Sequence, residues 1–293
     1  MKAEITLTAP TFEVAWEQAR LGAMPIVLYV PPSGFLEWER ADVVRRAWHE
    51  LEGAGLAQHG RLEDALVGML ELLSAPPRAV DARLALGSAG RPGSAGRPGS
   101  AGRPGSAGSP GSAGSPGSPG SPGSEVRGMA AASGDDGVLA RLANGTLTMR
   151  RIFGGGLCRE IITLLPDQPA GPGSSVSLPR EQLDPAARAA GSSLHGFAER
   201  LIDAGVPGHQ ARTLVRMIDG TRLCGQFGAA ALGRDGRRRA ARRVVAVHDA
   251  AGGRYLMVDN TTADGRVWTT VTPATAQLLA ERVQAMLDGL TRG

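Results

Sequence analysis

From Gly87 to Ser124 glycine returns at every third position, first in Gly-Ser-Ala-Gly-Arg-Pro units and later as Gly-Ser-Pro. Apart from alanine and proline the stretch contains no apolar side chain, so it has nothing to bury against a helix or a sheet. The period is that of collagen, but a triple helix needs three aligned chains. Here the run is short and its prolines fall only in the third position of each triplet. A flexible tether is the expectation. A random coil of this length spans roughly 35 Å. Replacing a four-residue turn by it costs about 2 kcal/mol of closure entropy, so a hairpin can carry it as a loop insertion. Whatever folds must be built from the stretches on either side.

Those stretches are rich enough for a core. Hydrophobic residues make up 42% of the 293 and charged ones 20%, close to the globular average. Basic residues outnumber acidic ones by 32 to 28, too small an excess to imply a nucleic-acid partner by itself. All but one of the basic residues are arginine, and the single lysine is Lys2. That excludes a P-loop, a protein-kinase strand lysine and a Schiff-base enzyme, each of which needs a lysine inside the fold. Cys158 and Cys224 lie far apart in apolar segments, which predicts buried thiols in a reducing compartment. The longest apolar run, Ile26 to Val30, is too short to span a membrane, and no signal h-region precedes it. A cytosolic chain without export signal or anchor is expected.

Helical periodicity flanks the glycine-rich run on both sides. Leu36, Val43, Val44, Trp48 and Leu51 share one face of a helix that stops at Gly53 to Gly55, and Leu62, Leu66, Met69 and Leu73 mark the next, ending before Pro76. Later, Leu194, Phe197 and Leu201 form a helix closing at Ala204-Gly205, followed by one through Ala211, Leu214, Val215 and Ile218. Short strands are predicted at 80–86, 125–132, 137–143 and 146–150, with Asn144-Gly145 as a hairpin turn. A second meander is predicted at 226–232, 242–248, 254–259 and 267–272, with turns at Asp235-Gly236, Gly252-Gly253 and Asp264-Gly265.

The two series have the same order: strand, proline, helix, helix, meander. Val30-Pro31 is matched to Leu178-Pro179, Ala54-Gly55-Leu56 to Ala204-Gly205-Val206, and Val80 to Phe227, with a helix before each unit at 11–20 and 154–165. The expected fold is α+β, with a central antiparallel sheet flanked by helices and built from quasi-twofold duplicated halves, 1–150 and 151–293.

Chemistry is sparse. His49, His59, His195, His209 and His248 show no metal-ligand spacing, and Gly134-Asp135-Asp136-Gly137 fits ordinary hairpin chemistry. No metal or cofactor is expected. His248-Asp249 resembles half of a proton relay, but no Gly-x-Ser-x-Gly nucleophile accompanies it, so a hydrolase is a poor third reading. Gly154-Gly155-Gly156 before an apolar helix is a weak anion signal without the rest of a dinucleotide fingerprint. The basic run Arg234, Arg237, Arg238, Arg239, Arg242 and Arg243 supports an alternative reading as a nucleic-acid-binding or regulatory hairpin, although no aromatic residues interleave it. In the last helix, expected to be capped by Thr272 and Pro273, Ala276, Leu279, Val283, Met286 and Leu290 form a stripe that reads first as internal core, with Leu278 and Leu287 widening it so that part is open to a partner helix.

The segments Phe12-Glu13-Val14-Ala15-Trp16, Arg20-Leu21-Gly22 through Pro25 to Pro31, Ala79-Val80-Asp81-Ala82-Arg83, Gly225-Gln226-Phe227-Gly228 and Gly253-Arg254-Tyr255, in this order, resemble the EspG family of ESX (type VII) secretion-associated proteins. The resemblance covers nearly the whole chain outside the glycine-rich run. It implies a non-enzymatic cytosolic chaperone with a central antiparallel sheet and two helical bundles. Such a protein binds the helical tip of the PPE subunit in PE-PPE heterodimers, keeps the pair soluble and delivers it for export. Neither membrane insertion nor a nucleic-acid partner is implied, and self-association is expected to go no further than a weak homodimer. The partner surface is expected on the second meander and the last helix, with Gln226, Phe227, Arg238, Arg239 and Arg243 as contacts.

Overall fold

Alternating burial closes the short segments into one sheet, and the helices then sort onto its two faces. The computed structural model describes residues 4–87, 125–191 and 193–292. The glycine-period segment, apart from Gly87, lies outside the described residues. The first half contains β1 (Ile5–Thr8), α1 (Ala9–Gln18), a 3-10 turn (Ile26–Leu28), α2 (Glu37–Gly53), the small pair β2 (Ala57–Gln58) and β3 (Arg61–Leu62), and α3 (Asp64–Ser74). It continues through β4 (Arg78–Leu86), β5 (Glu125–Ser133), β6 (Asp136–Ala143), β7 (Thr146–Phe153) and α4 (Leu157–Ile162). The second half contains β8 (Val176–Pro179), α5 (Arg180–Ala190), α6 (Leu194–Asp203), α7 (Gly208–Ile218) and β9 (Leu223–Leu232). It ends with β10 (Arg238–Ala240), β11 (Val245–Ala250), β12 (Gly253–Thr261), β13 (Val267–Pro273) and α8 (Ala276–Arg292).

The strand order is β1-β7-β6-β5-β4-β9-β11-β12-β13-β8, antiparallel throughout, with β10 on the far end of β9. This order reads alike from either edge: β4 answers β9, β5 answers β11, β6 answers β12, β7 answers β13 and β1 answers β8. A match of Val80 to Phe227 also matches Ala82 to Ala229. Because Val80 pairs with Ala229 and Ala82 with Phe227, the quasi-twofold axis passes between Asp81 and Gly228. The two helix ends matched in sequence are built alike. Leu56 N donates to Leu51 O (2.8 Å) and Val206 N to Leu201 O (2.9 Å), across Gly55 and Gly205. Both glycines have positive φ, the left-handed closure that favours glycine. Asn144 and Gly145, both at positive φ, make the β6–β7 turn, as their dipeptide predicts.

Several sequence matches move. Residues 26–28 form a 3-10 turn and Val30 lies in no strand, so the counterpart of β8 is β1 at the opposite sheet edge. Helix α1 answers α5, and α4 answers α8, because both α4 and α8 follow a meander. Helix α5 is not predicted from the sequence: Pro185 lies inside it, and the side chains it fully buries are only Ala186 and Ala187. The cap of α8 is Thr275, whose Oγ1 accepts from Leu278 N (3.2 Å), while Thr272 lies in β13. Residue 150 falls inside β7, which runs on to Phe153.

One sheet face packs under α4 and α8, burying Val80, Ala82, Leu84, Phe227, Leu256, Ile161 and Val283. On the other face α1–α3 cover β5, β6 and β7 through Phe12, Leu28, Leu66, Leu70, Met129 and Leu147. Helices α5–α7 cover the opposite end through Phe197, Leu201, Leu214, Tyr255 and Val271.

Candidate partner-binding site

Among the described residues, two helical bundles on one face leave the middle of that face without a covering helix, with the 3-10 turn at Ile26–Leu28 along its β4 side. In β4 and β9 alternate residues point away from α4 and α8: Asp81, Arg83 and Ala85 on one strand, Cys224, Gln226, Gly228, Ala230 and Leu232 on the other. All of them are half-buried or exposed. The strip is two strands wide, about 10 Å at ordinary strand spacing. Its floor is small. A Cβ on Gly228 would stand 2.7 Å from Asp81 Oδ1, so glycine at the axis makes room for the carboxylate. Burial raises the Asp81 carboxyl above its ordinary range, and the Arg83 guanidinium pulls it partly back. Arg127, beside Arg83 on β5, donates from Nη1 to Tyr29 O (3.0 Å) and ties the strip's rim to the turn at Ile26–Leu28.

The five residues singled out by sequence do not share one surface. Gln226 faces the strip, but Phe227 is the next residue on the same strand and must face the other way. It is 0% exposed, in the core cluster that includes α8, and is not a surface contact. The α8 stripe is internal core, the first of its two readings: Leu279, Val283 and Leu287 are buried against the sheet, with Met286 and Leu290 packed beside them. Arg238, Arg239 and Arg243 sit on the β9–β10 hairpin and the bulge after it, and each is held by its own chain. Arg238 donates to Pro76 O (2.9 Å), Arg239 pairs with Asp235 (3.2 Å), and Arg243 reaches Asp259 O (2.8 Å) and the Thr261 hydroxyl. The side chains of Arg234, Arg237 and Arg242 stand exposed, without such ties among the described residues. Sequence density identified the hairpin; it did not separate its braces from its presented charges.

Cys158 is buried and its thiol pKa is pushed up to about 12 by burial, as expected of an inert core thiol. Cys224 departs from expectation, because it lies on the strip's side of β9 and is exposed. His248 is buried, stacks on Tyr255 with ring centroids 5.4 Å apart and places Nε2 3.0 Å from Met217 O. Asp249 is occupied by Arg254, so the pair is not assembled as a relay. Gly154 fits where a Cβ would lie 2.4 Å from Gly134 O, a close-packing role for the glycine run. Among the described residues no group of three or more His, Cys, Asp or Glu could hold a metal ion, and no helix is long and apolar enough to cross a membrane.

Burial lowers the His248 pKa below its ordinary value near 6.5, with the Met217 carbonyl and Asp249 opposing. The folded state therefore binds this proton less readily than the unfolded one. Stability from His248 is complete above pH ~6.5 and is lost as pH falls from there toward the folded pKa, at a slope of about 1.4 kcal/mol per pH unit. Urea titrations of wild type and His248→Gln, whose amide can still donate to Met217 O, should diverge in slope below pH ~6.5. Parallel curves would remove His248 as the source.

An antiparallel sheet of two like halves, backed on one face by two helices and, among the described residues, without a covering helix on the other between two three-helix bundles, defines a helix-flanked α+β scaffold. The chain belongs to the EspG family, whose profile matches residues 8–285. In solved structures it is similar to the Mycobacterium tuberculosis type VII secretion system chaperone EspG5, determined in complex with a PE25-PPE41 dimer. That match has a TM-score of 0.70 and 18% identity, covering 99% of this chain and 98% of the other. No curated protein matches the chain.

Proposed function

We propose that this chain is a non-enzymatic, cytosolic chaperone of type VII secretion that binds a PE-PPE heterodimer at the helical tip of its PPE subunit. The carrying observation is the bare strip of β4 and β9. A helix is 10–12 Å across, and two strands at ordinary spacing make a strip of about that width. Covering an apolar tip raises the soluble population of the partner by mass action and removes a self-association surface. Gln226 contributes from the strip floor. Arg238, Arg239 and Arg243 contribute by bracing the hairpin that presents Arg234, Arg237 and Arg242 at one end of the strip.

Co-expression with PE-PPE pairs encoded beside this gene, followed by size exclusion, tests the reading. A ternary complex is expected, and no shift in elution with any pair would overturn it. The three arginines exposed on this hairpin, untied among the described residues, also favour a second reading, nucleic-acid binding. Fluorescence anisotropy with labelled DNA and RNA at low salt decides it, since binding through phosphates would appear there and weaken steeply with salt.

A further inference from the structure

The described residues expose eight large hydrophobic side chains, and five of them, Ile26, Tyr29, Phe35, Leu36 and Trp38, fall within thirteen residues. Phe35 is 97% exposed and Trp38 69%. Single exposed apolar residues need no explanation, but a run of five with three aromatics does.

This segment is built, not frayed. The Glu39 carboxylate accepts from Phe35 N (3.1 Å) and Leu36 N (3.2 Å), capping α2 and fixing the residues before it. Gly34, at φ +83°, passes so close to α2 that a Cβ there would lie 2.7 Å from Arg40 N. Arg40 reaches back to Ser33 O (3.3 Å) and locks α2 onto α1 through Glu13 (2.6 Å) and Glu17. The other end is anchored by burial of Val27, Leu28 and Val30 in the core under α1–α3, and the 3-10 turn rests on β5 and β4. Tyr29 O is the acceptor for Arg127 at the rim of the bare strip.

We infer that residues 26–38 form an apolar prong that holds the side of the same PPE tip whose end sits on the strip. The inference rests on the proposed function. The strip is about one helix wide, whereas a helical tip of two or more helices is at least ~20 Å across. A tip built of more than one helix therefore extends beyond the strip, over a rim. The prong is joined directly to the rim on the β5 side, and its ordering is already complete before the partner arrives, which favours tight binding.

The test compares full-length wild type, a strip variant (Arg83→Glu with Gln226→Arg) and a prong variant (Phe35→Ser with Trp38→Ser), each titrated with the PE-PPE pair that co-elutes with wild type. The prong variant should keep the wild-type melting temperature, because both side chains are exposed. It should bind at least about 30-fold more weakly, as expected when two aromatic anchors are lost. That loss should persist at 0.5 M salt, where purely ionic contacts are screened. Phe35→Leu with Trp38→Phe should recover most of the affinity. Wild-type affinity in the prong variant, alongside loss in the strip variant, would overturn the prong and leave the proposed function standing. Failure of wild type to bind any pair would overturn both. A wild-type dimer that the prong variant converts to monomer, with unchanged PE-PPE affinity, would reassign the surface to self-association.

Discussion

Asp249→Ala should cost the folded state about 3–5 kcal/mol, measured as a shift of the urea midpoint at pH 7. Arg254 is 2% exposed and gives both arms of its guanidinium to Asp249, Nε to Oδ1 at 2.7 Å and Nη2 to Oδ2 at 2.8 Å. Its remaining side-chain bond is to Pro166 O (2.7 Å). The backbone around it joins four segments: Arg254 N donates to Pro169 O, Gly171 N and Ala274 N donate to Arg254 O, and Arg222 N donates to Asp249 O. Removing the carboxylate leaves a buried cation with one carbonyl for company, a larger penalty than the pair itself is worth. Replacing both partners by Asp249→Leu with Arg254→Met should therefore be far milder than either single change. A loss below about 1 kcal/mol for Asp249→Ala would mean that water reaches the guanidinium.

Neighbouring residues on β9 should behave oppositely. Phe227→Ala is expected to lose about 3–5 kcal/mol, because the ring is fully buried between Ala82 on β4 and Val245 on β11, and a sheet held on both sides cannot collapse into the cavity. Gln226→Ala should change stability by no more than about 0.5 kcal/mol and yet weaken PE-PPE binding, since its side chain faces the strip. Paired thermal melts and titrations of the two variants separate fold from docking. Near-equal destabilisation would mean that the alternation of β9 does not divide core from surface there.

Local chemistry made much of this architecture readable. The Asn144-Gly145 turn, the glycine closures of α2 and α6, the end of α3 before Pro76 and the two meanders are each specified by residues within a few positions of one another. A left-handed turn, a helix stop or a two-residue period costs or gains energy regardless of what packs on it. The duplication was visible for the same reason, since repeated local signals recur in order. Helix α5 was hidden because alanines carry little periodic signal and Pro185 reads as a break.

The partner surface depended on contacts between distant residues. An apolar stripe looks the same whether it meets its own sheet or another protein, and α8 meets its own. Gln226 and Phe227 are adjacent in the chain but separated by the sheet, and only strand pairing decides which of them meets α8. Within one basic run, Arg238 is a brace because Pro76, far away in sequence, supplies a carbonyl, while Arg234 has no such neighbour among the described residues. Backbone geometry and turn chemistry act over a few bonds and are written into the order of residues. Burial and pairing depend on which parts of the chain arrive at the same place, and that is settled when β4 and β9 meet at the quasi-twofold axis and the bundles stop short of covering them.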